Sequence, residues 1–168
     1  IMPAWVRLCH WINALAVVIM TLSGWRIYNA SPIYPFNFPN DITLGGWLGG
    51  AIQWHFAAMW LLGLNLVVYL AIQLATGRLF KRFFPLTPAM VLTDLKQALR
   101  GALAHADPAR YNAVQKLAYL VVMADLVLLV ASGLAVWKPV QFPLTTSLLG
   151  GFDNARVVHF WAMSLVVA

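Results

Sequence analysis

Residues 47–76 carry no formal charge, and their polar side chains are few: Gln53, His55, Asn65 and Gln73. The hydrocarbon core of a bilayer takes roughly 20 residues of helix to cross, so this run is long enough to span a membrane. The remainder of the chain agrees. Of 168 residues, 62% are hydrophobic and 10% charged, with no Glu and five Asp. A soluble domain of this size could not cover its core with so few charges, so the class is an all-α integral membrane protein.

Three further apolar runs surround the first. Residues 8–28 are interrupted only by His10, Asn13, Thr21, Ser23 and Arg26, and without a small-residue cleavage site they read as a retained span rather than a signal peptide. Residues 117–137 hold one charge, Asp125, and end at Lys138-Pro139. A fourth run begins near Arg156 and covers 156–168, about 20 Å of helix, so it is expected to continue. The whole chain, 1–168, is therefore expected to form one domain, an up-down four-helix bundle.

Lys and Arg exceed Asp and Glu, giving a formal charge of +6. In a membrane protein this excess sets orientation rather than recruiting nucleic acid. The loop from Gly77 to Asn112 carries Arg78, Lys81, Arg82, Lys96, Arg100 and Arg110 against Asp94 and Asp107, which predicts a cytoplasmic loop and a cytoplasmic N-terminus. Within it, residues 88–105 predict a short amphipathic helix with Leu92, Leu95 and Leu99 on one side. Pro- and Gly-rich residues 29–46 and the loop 140–154 fall on the opposite side.

One phrase occurs twice. His55-Phe56-Ala57-Ala58-Met59 and His159-Phe160-Trp161-Ala162-Met163 share a pattern, and each follows an apolar run containing a Ser-Gly pair, Ser23-Gly24 and Ser132-Gly133. This predicts a duplicated pair of helices. It also puts His55 and His159 at one depth near the outer ends of their spans. Two imidazoles at one level on the inner faces of a bundle are the axial ligands of a low-spin b-type haem.

Zinc would need third and fourth ligands at that level, and only Asp153 is nearby in sequence. Cys9 is the only cysteine, so neither an intrachain disulfide nor a covalent haem-attachment motif exists. His10 lies at the inner level, with Tyr69 and Tyr119 as the ring-bearing residues of similar depth; His105 falls in the inner loop. Asp125, deep in its span, is a candidate proton relay, with a structural hydrogen bond to Asn13 or Asn65 as the alternative.

Arg7-Leu8-Cys9-His10-Trp11, Leu22-Ser23-Gly24-Trp25, His55-Phe56, Tyr111-Asn112-Ala113-Val114-Gln115-Lys116, Ser132-Gly133 and Arg156-Val157-Val158-His159 together resemble the prokaryotic cytochrome b (cytochrome b561-like) membrane subunits. These serve nickel–iron hydrogenases, formate dehydrogenases and thiosulfate reductases. The resemblance implies two b haems stacked across a bacterial inner membrane. His55 and His159 would hold the outer haem. His10 would share the inner haem with a histidine on the fourth span, at a position past residue 168. Asn112 matches a residue near the family's inner quinone site. For the haem propionates, guanidinium groups at the right levels are Arg26 and Arg156 outside and Arg7 inside.

The expected function is electron relay between membrane quinone and a periplasmic or cytoplasmic oxidoreductase or cytochrome partner, with no substrate chemistry in this chain. The alternatives are a haem-free anchor, a small transporter with duplicated halves, and a haem protein that reduces a soluble acceptor directly.

Overall fold

A computed structural model describes residues 3–77, 83–101 and 111–168. The described residues are helical with no strand. In chain order the helices are α1 (Ala4–Ala30), α2 (Leu48–Ala75), α3 (Pro88–Leu99), α4 (Ala113–Trp137), α5 (Pro143–Leu148) and α6 (Phe152–Val167), and a 3-10 turn at Asn40–Ile42 lies between the first two. Three of these are long and apolar enough to cross a membrane: α1, α2 and α4, with mean hydropathy of 1.5, 1.9 and 2.3. At 16 residues, α6 is shorter, and it begins at Phe152, ahead of the expected Arg156.

The chain divides into two compact units, Ile1–Leu79 and Phe80–Ala168. In the first, α1 packs along α2; in the second, α4 packs along α6, with α5 and α3 also against α4. Both contacts are lined by small side chains. Ala16 and Ser23 on α1 and Ala51 on α2 are fully buried; in the second unit Ser132, Ala135 and Ala155 are as well. Between apolar helices in lipid, close backbone approach is the available source of packing energy, and small residues permit it. The bulky side chains point the other way. Trp60, Leu64 and Val67 on α2 and Val127 on α4 are exposed, as expected where the solvent is hydrocarbon.

The spacing of these contacts reproduces the repeat read from the sequence. Ala51, His55 and Ala58 on α2 are spaced as Ala155, His159 and Ala162 on α6, and Ala51, Ala58, Ala155 and Ala162 are all buried. On the partner helices, Ala16 and Ser23 are spaced as Asp125 and Ser132, again all buried. The duplication is thus structural as well as textual.

Each unit closes its ends differently. In the first, residues 31–47 fold back on α1: Leu44 N–H donates to the Leu22 carbonyl (3.0 Å), Asn29 makes two hydrogen bonds with the Phe38 backbone, and Trp25 stacks on Phe38 with ring centroids 4.6 Å apart. In the second, the Asn112 side chain accepts from Gln115 N–H (2.8 Å) while Gln115 Oε1 accepts from Asn112 N–H (3.2 Å), a reciprocal cap that starts α4. The short helix α3 runs over the predicted stretch but stops at Leu99, because Gly101 takes a φ of +66° that ends the helix. Its Leu92, Leu95 and Leu99 are exposed. The cationic residues Arg78, Lys81, Arg82 and Arg110, together with His105 and Asp107, lie outside the described residues.

Candidate haem ligands and their seats

His55 is the eighth residue of α2 and His159 the eighth of α6. Both are half-buried against the facing helix of their own unit. His55 Nδ1 lies 3.1 Å from Ser23 Oγ and 3.1 Å from the Met20 carbonyl. His159 Nδ1 lies 2.9 Å from Ser132 Oγ.

The proton positions follow from the partners. A carbonyl only accepts, so the Met20 contact requires a proton on His55 Nδ1. Ser23 donates its own hydroxyl proton to the Ile19 carbonyl (2.6 Å), and Ser132 donates to the Leu128 carbonyl (2.7 Å). Each serine oxygen therefore faces the imidazole as an acceptor. Both histidines are set as the Nδ1–H tautomer, and the nitrogen carrying the lone pair is Nε2, the atom a metal would take.

The adjacent glycine completes each seat. A Cβ added at Gly24 would stand 3.5 Å from His55 Cε1, and one at Gly133 would stand 3.2 Å from His159 Cε1. The Ser-Gly pair thus does two things at once: the serine orients the ring and the glycine gives it room. Ser23 and Ser132, both fully buried, are the residues of each seat that reading for ligands alone passes over. Their signal in the sequence was the repeated Ser-Gly.

The other candidates are less gathered. His10 is exposed on α1 with its ring edge-on to Trp11 at 5.6 Å. Arg7 is exposed. Arg26 donates to Asn40 Oδ1 and to the Gly46 carbonyl, so it pins the loop of the first unit. Beside it, Asn29, Phe38, Asn40 and Leu48 help line an open hollow of about 490 Å³. Arg156 is half-buried near the start of α6. Asn112 is committed to its helix cap, and Tyr111 packs against Tyr119 and Phe83. Asp125 is buried, and among the described residues its Oδ2 has no hydrogen-bond partner. Asn65 instead donates to the Cys9 carbonyl (2.8 Å) and to Asn13 Oδ1 (2.6 Å). Among the described residues, no three His, Cys, Asp or Glu side chains converge on one point.

The donor set fits haem. Each hairpin presents one neutral imidazole with its Nδ1 tied back into protein, in an apolar helix contact cleared of Cβ atoms, and a low-spin haem iron is held by one such nitrogen on each axial side. The class defined by these features is a membrane haem protein. The family described as prokaryotic cytochrome b561 matches across residues 1–168. A putative protein-methionine-sulfoxide reductase subunit, YedZ1, of Azospira oryzae (strain ATCC BAA-33 / DSM 13638 / PS) is 55% identical over 166 residues, covering 99% of this chain and 84% of the relative. No solved structure matches. The chain belongs to the prokaryotic cytochrome b561 family; it is a membrane electron-transfer subunit that binds haem b.

Proposed function

We propose that the two hairpins join in one four-helix bundle carrying two b haems, with His55 and His159 as the axial pair of one and His10 as a ligand of the other. The observation that carries this is the seat built twice: the same serine, glycine and histidine arrangement in each unit, at the same place along its helix. Haem supplies one-electron redox chemistry when bound. The protein's part is to fix each imidazole, exclude water with apolar side chains, and set the distance over which electrons pass.

The electrons come from or go to membrane quinone, with Asn112 and its neighbours near the quinone head. At the other end the chain serves a soluble reductase subunit. The relative's name points to a protein-methionine-sulfoxide reductase as that partner. Arg156 and Arg26 on the outer side and Arg7 on the inner offer guanidinium groups to haem propionates. The chain sits in a bacterial inner membrane with its N-terminus cytoplasmic, which the cationic residues between 77 and 112 support.

The test is a reduced-minus-oxidised spectrum and a pyridine haemochrome count on the purified protein, H55A and H159A. Two b haems in the parent, with one lost in each variant, is the expected result. Full haem content in either variant would remove that histidine from the ligand set. Asp125 as a proton relay is tested by D125N, and unchanged quinone turnover would sink the idea.

A further inference from the structure

We infer that the hydroxyls of Ser23 and Ser132 set the reduction potential of the haem that His55 and His159 hold. The inference rests on the ligand assignment proposed above.

A hydrogen bond from Nδ1–H to an oxygen draws the proton away from the ring and makes Nε2 a stronger electron donor. A stronger donor favours ferric over ferrous iron, so the bond lowers the potential. The couple takes up one electron and no proton, because Nδ1–H stays in its hydrogen bond in both oxidation states. Each serine is well suited to this work. Both are fully buried, so water does not compete for the serine oxygen. Each hydroxyl proton is already given to the carbonyl one helical turn back, Ile19 or Leu128. That orientation leaves an oxygen lone pair, rather than a proton, turned toward Nδ1.

In the first seat a backbone carbonyl stands beside the serine. His55 Nδ1 has a second acceptor, the Met20 carbonyl at 3.1 Å, which shares the proton with Ser23 at 3.1 Å. The hydroxyl contact to His159 is shorter, 2.9 Å from Ser132. Deleting Ser23 leaves the Met20 carbonyl to hold the tautomer of His55, so that variant tests the hydroxyl with the ring still oriented.

The experiment is a potentiometric titration of S23A, S132A and S132T beside the parent, with H159A as a control, followed by visible absorption and haem count. Loss of one haem in H159A shows that the ligand assignment stands; full haem there overturns the assignment itself. With that control in place, S132A is expected to keep both haems and a low-spin spectrum while one midpoint potential rises. A tenfold change in the ratio of ferric to ferrous haem affinity corresponds to a shift of about 59 mV for one electron. S23A should shift in the same direction, and S132T, which keeps the hydroxyl, should stay near the parent. A purely structural role for Ser132 would change the spectrum or haem count without this rise in potential. Unchanged potentials in S132A, or a fall, would overturn the inference. If S132A loses haem altogether, retention in S132T upholds the hydroxyl as the cause, and loss in both overturns it.

Discussion

The first hairpin, α1 with α2, and the second, α4 with α6, are two copies of one design, and their differences separate what the design requires from what each copy adds. Both keep a buried serine, a glycine beside it and a histidine on the facing helix. Beyond that core they diverge. The first copy has Ala16 two helical turns before its serine, where the second has Asp125. It also has more room at its glycine, 3.5 Å against 3.2 Å. The first copy is the more tolerant seat, and the second is the tighter one with an unsatisfied carboxyl oxygen nearby in its helix.

The largest effect is expected from moving the carboxyl across. Ala16 is fully buried, so A16D places an acid in a dry helix contact at a cost of about 3 kcal/mol. Unfolding in detergent should shift accordingly, and an A16D protein as stable as its parent would show that the two positions do not correspond. Next comes crowding of the rings. At Gly133 an added Cβ forces His159 to yield, so G133A should weaken haem retention by about 1–3 kcal/mol. G24A, at ordinary contact distance, should leave retention close to the parent. Haem transfer to an acceptor apoprotein measures both, and equal losses would erase the distinction between the seats.

The converse replacement, D125A, should raise stability by about 1–2 kcal/mol by removing a buried group with an oxygen that has no partner. A gain in stability accompanied by slower electron transfer would mark Asp125 as a residue retained for function. A loss of stability would mean that the carboxyl has a partner in the assembled protein. The smallest effect is expected at Asn65, whose amide joins α2 to the Cys9 carbonyl and to Asn13. N65A should cost about 0.6 kcal/mol, the average for such bonds between helices in a membrane. Asn65, Cys9 and Asn13 all belong to the first hairpin, so the second should be unaffected. A cost several times larger would make the asparagine pair, rather than the small-residue contact, the main bond of the first unit.

Much of this could be read before any coordinates. An uncharged run such as 47–76 has one outcome in a bilayer, because length and apolarity are properties of the chain itself. The duplication was equally plain, since repeated residues at repeated spacing survive in text. Helix ends were less legible. Asn112 looked like a quinone-site residue, and its spacing to Gln115 is also that of a reciprocal cap, a local hydrogen-bond pattern that the structure assigns. Arg26 looked like a propionate partner by its depth, and the loop that folds back onto it, through Asn40 and Gly46, gave it another bond.

By itself, the sequence determined the membrane class, the helices and the repeat that makes two histidines candidates, because hydropathy and repeat are one-dimensional. Only tertiary structure decided how each histidine is held. The distance from Ser132 to His159 crosses two helices, and so does the choice of tautomer that follows from it. Whether a glycine is needed for room depends on the facing ring, which no neighbour in sequence supplies. The serines were visible as letters in a repeat, but their role exists only where α1 meets α2 and α4 meets α6.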